Sequence, residues 1–102
     1  MNTKELLVSV RIIESTVLQC AKSEIKTCDH ILVEEIKKIQ QSADDTFIQE
    51  MIFGIYYNWK IYSGQHKGTG IPDRYTELEN IMINCGRMKS YLIKYLSDLT
   101  NN

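Results

Sequence analysis

Cys28-Asp29-His30 sets a thiol, a carboxylate and an imidazole side by side, groups that bind metal ions or share nucleophilic catalysis. Neighbouring residues on a helix diverge by about 100°, so these three side chains cannot converge on one ion. Neither C-x-x-C nor H-x-x-x-H accompanies them. The expectation is a core thiol, a helix cap at Asp29 and a surface histidine. A cysteine nucleophile needs a base beside it. No spacing in the chain sets His30 or His66 next to Cys20 or Cys85.

Paired carboxylates come next. Glu34-Glu35 and Asp44-Asp45 on facing helices could hold Mg²⁺ for nucleotide hydrolysis. That chemistry uses E-x-x-E pairs, one helical turn apart. In Glu34-Glu-Ile-Lys-Lys38 lysines stand where the second carboxylate is needed, and Glu77 and Glu79 point to different sides. The helical ribonuclease spacing R-x4–6-H is also missing.

The stretch from Tyr62 to Tyr75 holds three of the five glycines, the single proline, His66 and Lys67. A phosphate-gripping P-loop needs G-x-x-x-x-G-K-[ST] between strand and helix. Here Lys67 precedes Gly68, and Gly64, Gly68 and Gly70 have the wrong spacing for that loop or for G-x-G-x-x-G. Gly68-Thr69-Gly70 beside a helix N-terminus has anion-binding character only. The expectation is a linker: Gly64 stops one helix, Pro72 and Asp73 start the next.

The elements that position these residues read as helices. Asn2 and Glu5 have capping-box spacing, and Leu6, Val10, Ile13, Val17 and Ala21 share a face, predicting a helix over about 3–25. Val8 and Ile12 fall off that face and need a second neighbour. Leu32, Val33, Ile36, Ile39 and Ala43 predict a helix over about 29–41. Ser42 and Asp45 signal a new start, and a broad apolar stripe from Phe47 to Tyr62 predicts a helix over about 44–62. IFGIYYNWKIY is strand-like by propensity, but its three-four spacing persists over four turns. A last helix over about 73–99 keeps Tyr75, Leu78, Ile81, Met82, Cys85, Met88, Leu92, Leu96 and Leu99 on one face, with Gly86 at its rim as a candidate close crossing. The fold class is all-α: a single-domain antiparallel four-helix bundle or an irregular helical array.

Composition narrows the function. A chain with 43% hydrophobic and 25% charged residues is globular rather than disordered. Its net charge of −1 argues against non-specific nucleic-acid binding and gives no pull towards anionic membranes. No apolar run approaches a membrane span, and the start carries no cleavage-site pattern. Three scattered cysteines fit free thiols in a cytoplasmic protein. No cofactor or metal motif is present, so no cofactor is expected.

Two features point to a protein partner. Residues 29–50 carry six acids, including Glu34, Glu35, Asp44 and Asp45, against two lysines. Such a segment steers a basic partner. Phe53, Tyr56, Tyr57, Trp59 and Tyr62 crowd one segment, with Phe53 and Tyr57 opposite the core stripe. The format resembles that of small helical immunity proteins, without a family motif, and the low-alanine, isoleucine- and lysine-rich composition is compatible with a bacterial source. The resulting expectation is a non-enzymatic inhibitor of immunity or antitoxin type. It would cover the active site of a basic toxin domain, for example a nuclease, through Glu34, Glu35, Asp44, Asp45, Phe53 and Tyr57. A homodimer through Phe53 and Tyr57 is a related arrangement. The alternatives are a nucleic-acid-binding regulator using Arg74, Arg87, Lys89 and Lys94, offset by Asp73, Glu77 and Glu79, and, third, the metal-dependent nucleotide hydrolase.

Overall fold

The computed structural model describes residues 2–20, 25–69 and 76–100. They form α1 (Thr3–Cys20), α2 (Ile25–Ser42), α3 (Thr46–Thr69) and α4 (Thr76–Thr100). The protein is all-α, with no strand among the described residues. None of these helices is long and apolar enough to cross a membrane.

Each helix packs on two others: α1 and α3 both lie between α2 and α4, and the diagonal pairs do not meet. Directions follow from specific contacts. Trp59 on α3 bonds Asp29 near the start of α2, whereas Gln49 near the start of α3 bonds the end of α2. On α4, Asn80 reaches Asn58, Asn84 reaches Met51, and Tyr91 reaches Asp45 before α3, so numbers rise on one helix as they fall on the other. Residues from the start of α1 and the end of α2 line one groove. The result is an antiparallel four-helix bundle with an up-down-up-down order.

The periodic stripes converge along its axis. Val10, Ile13 and Val17 from α1 meet Leu32, Ile36 and Ile39 from α2, Ile48, Ile52, Ile55 and Trp59 from α3, and Ile81, Cys85 and Met88 from α4. Burying each large aliphatic side chain stabilises the fold by roughly 1.5–3 kcal/mol. That gain outweighs the strand propensity of residues 52–62. As a strand, Ile52 and Trp59 would point to opposite faces; as a helix both enter the core.

Helix ends are closed by named groups. Asn2 Oδ1 accepts the Glu5 amide at 2.9 Å. Asp45 Oδ1 accepts the Phe47 and Ile48 amides at 2.8 and 3.2 Å, so Asp45 rather than Ser42 caps α3. Ser42 still belongs to α2, whose last carbonyls are met by Gln49: its Nε2 donates to Gln40 O at 3.0 Å and Ala43 O at 2.5 Å.

Several boundaries differ from the sequence reading. The first helix is described as far as Cys20, and the rest of its expected span, residues 21–24, lies outside the described residues. The second begins at Ile25, so Asp29 is an interior helical residue and not its cap. Gly64 does not stop α3, which continues to Thr69. A glycine costs a helix only about 1 kcal/mol, too little to end one already anchored by Trp59 and Tyr62. The proposed start signals Pro72 and Asp73 lie outside the described residues, as does Gly70 of the candidate anion loop.

The close crossing also sits elsewhere. A Cβ on Gly86 would meet nothing within 4 Å, whereas one on Gly54 would lie 2.6 Å from Asn84 Nδ2. Gly54 therefore marks the tight approach of α3 and α4, where Asn84 Nδ2 donates to Met51 O at 3.3 Å.

Candidate functional site

The four acids singled out from sequence do not share a face. Glu34 is exposed on α2 and stands 3.6 Å from His30 Nε2, one turn earlier. Glu35, the next residue, turns inwards and is only 7% exposed. Its Oε1 accepts Lys38 Nζ at 3.1 Å, so Lys38 pairs with Glu35 rather than with Glu34. Asp44 is exposed in the short α2–α3 link. Asp45, beside it, is engaged by the fold: it caps α3, and its Oδ2 accepts the Tyr91 hydroxyl of α4. Phe47 stacks on the same Tyr91 ring with centroids 4.7 Å apart.

The Asp45–Tyr91 bond sets both acidities. The hydroxyl holds the Asp45 carboxyl below its usual range; burial opposes it, and the Ile48 and Phe47 amides add to the lowering. In return the carboxylate raises the Tyr91 phenol, and burial and the negative charge of Asp45 add to the rise. This cluster locks the α2–α3 corner to α4.

Aromatic residues divide between core and surface. Trp59 is fully buried and packs against Tyr62 with centroids 5.7 Å apart. Phe53 and Tyr57, one turn apart, stand 64% and 59% exposed on the opposite side of α3. Glu50, three residues before Phe53, is exposed on that side too. A helix orients Phe53 and Tyr57 outwards because its core side is already taken by Ile52, Ile55 and Trp59. Tyr56 lies at the edge, half-buried, with Lys60 Nζ 5.4 Å from its ring centroid.

The cysteines are thiols built into the core. Burial pushes Cys85 up to about 12, with the Glu14 charge adding and Lys89 opposing. Cys20 is raised above the usual thiol range by burial, by a hydrogen bond with Cys28 and by nearby negative charge. A thiol held protonated is a poor nucleophile and a poor metal ligand. Cys28 is buried and His30 stands in solvent, as expected, and Asp29 reaches across to Trp59. No three His, Cys, Asp or Glu residues converge on a point that could hold a metal among the described residues.

One feature escaped the sequence reading. Between the first half of α1 and the last half of α2 lies a groove of about 560 Å³. Val8, Ser9 and Ile12 form one side, Glu35 and Lys38 the other. Its signal was visible in Val8 and Ile12, which fall off the core stripe. The pairing of Glu35 with α1 was not, since spacing alone cannot say which side of a helix meets which neighbour.

Comparison with known proteins assigns the chain to no group: no family model matches it, and neither a curated protein nor a solved structure does.

Proposed function

We propose that this bundle is a non-enzymatic protein-binding inhibitor of immunity or antitoxin type, neutralising a basic toxin domain. The observation that carries the reading is the exposed pair Phe53 and Tyr57 on the outer face of α3. Aromatic side chains exposed together supply the large, rigid contact area of interface hot spots. Exposed acids at Glu34, Asp44 and Glu50 suit a basic partner. Glu35 and Asp45 support it differently, one by shaping a groove and the other by holding α3 in place.

The test mixes the purified chain with the toxin-like product of an adjacent gene. The expected outcome is a stoichiometric complex on gel filtration and loss of the toxin's activity. Phe53→Ser and Tyr57→Ser should each weaken the complex by about 30-fold or more, as hot-spot residues do. Absence of any complex, or of any effect from both substitutions, removes the proposal. Elution of the protein alone as a dimer that Phe53→Ser dissociates would instead assign this face to a second copy.

A further inference from the structure

The outer face of α3 carries more than its aromatic pair. Thr46, Glu50, Phe53, Tyr57, Lys60 and Gly64 follow one another at alternating steps of four and three residues, and all six are exposed. At about 100° per residue they stay within roughly 80° of arc, so they form one seam along the helix. The seam has an order: Glu50, then Phe53 and Tyr57, then Lys60. Neither charge is held by an ion pair among the described residues, and Lys60 Nζ overhangs the Tyr56 ring. Asp44, exposed just before α3, adds a second acid at the Glu50 end. Alternating steps of three and four are the spacing at which one helix meets another, with apolar contacts inside and charges beside them. A strand would fall out of step. Its same-face side chains recur about every 7 Å, against about 10 Å for seven residues of helix.

We infer that the toxin partner docks a helix antiparallel along this seam, with two apolar residues on Phe53 and Tyr57, a basic residue near its C-terminal end over Glu50 and an acidic residue near its N-terminal end over Lys60. The inference rests on the protein-binding reading above and names the element that the partner presents. Direction follows from charge. An antiparallel helix brings its C-terminal end to Glu50 and Asp44, where its own dipole favours a cation, and its N-terminal end to Lys60, where the dipole favours an acid. A parallel helix would carry both charges at the ends that its dipole disfavours. The ion pairs fix direction and register, while the two rings supply the contact area.

The experiment titrates the isotope-labelled full chain with a stapled helical peptide that carries Glu, Leu, Leu and Arg at successive steps of three, four and three, and a nitroxide label beyond its arginine. The amide resonances of Glu50, Phe53, Tyr57 and Lys60 should shift in a saturable way. The nitroxide should broaden Thr46 and Glu50 more than Lys60 and Gly64. Exchanging the charges in the protein, Glu50→Lys with Lys60→Glu, turns two attractions into two repulsions and should weaken the peptide about tenfold. Both positions are exposed, so the fold stays intact. No saturable shift, stronger broadening at the Lys60 end, or equal binding by the exchanged protein overturns the inference. Shifts at these residues on concentrating the protein without peptide overturn it too, because the α3 of a second copy carries the same order of charges and would take the toxin helix's place. A toxin complex indifferent to the charge exchange rejects the helix assignment alone; peptide binding without any toxin complex rejects the inhibitor reading.

Discussion

The indole Nε1–H of Trp59 donates to Asp29 Oδ1 at 2.7 Å, joining α3 to the start of α2 across thirty residues of sequence. The ring is fully buried, while Asp29 stays exposed and leans over the bundle to reach it. A core indole thus obtains an acceptor without drawing a charge inside. Asp29→Ala would leave that N–H shielded and unpaired. The expected loss is about 1–3 kcal/mol of stability in urea unfolding. Asp29→Asn keeps an acceptor and should lose less.

The Asp45–Tyr91 cluster predicts a pH dependence with a definite sign. The folded Asp45 carboxyl titrates below its unfolded value, so its contribution is complete above the unfolded value and disappears as pH falls through the folded one. Melting temperature should therefore drop below about pH 4. Tyr91→Phe removes the first cause of that shift and should flatten the drop. Tyr91 has the opposite sign: its raised phenol favours folding below the unfolded value, and the benefit fades as pH rises beyond about 10. Asp45→Ala also removes a helix cap, a loss of about 1 kcal/mol near neutral pH.

Three glycines in helices should respond differently to alanine. Gly64 and Gly86 have open space where a Cβ would go. Alanine there should stabilise the protein by about 0.5–1 kcal/mol each, read as a higher denaturation midpoint. Gly54→Ala gains the same helix propensity but drives its methyl into Asn84 Nδ2 and displaces the bond to Met51. It should fall clearly below the other two, and equal gains at all three positions would contradict a tight α3–α4 crossing.

Thiol chemistry gives an independent check on the core. Cys20, Cys28 and Cys85 are buried, and Cys85 holds its proton up to about pH 12. A disulfide reagent at pH 8 should label none of the three quickly in the folded protein and all three in denaturant. Rapid labelling of Cys85 would mean that α4 does not pack as described.

Much of this architecture was legible in the residues. The stripes on α2, α3 and α4 are the buried sides, because a period near 3.6 is imposed by the backbone before any packing occurs. Helix ends were harder to read. Asp29 looks like a cap, since aspartate prefers that position, but its acceptor is used by an indole that only the fold brings near. Gly64 looks like a stop, yet a local penalty of about 1 kcal/mol yields to a helix already anchored by Trp59 and Tyr62. The candidate site was legible in part. Phe53 and Tyr57 could be placed outside because their own helix leaves them no room inside.

What the sequence determined alone is local: four amphipathic helices, the Asn2 cap, and an outer aromatic pair on α3. These depend on the angle between successive side chains, a property of the chain itself. What tertiary structure decided is which exposed side faces which neighbour. It separated adjacent Glu34 and Glu35 into solvent and interior, drew Asp45 to Tyr91, chose Gly54 as the crossing point, and formed the groove over Val8 and Ile12. Those outcomes depend on how four cylinders meet. Contacts between residues thirty to seventy-five positions apart, such as Trp59 with Asp29 and Lys89 with Glu14, record that meeting, and no local pattern encodes it.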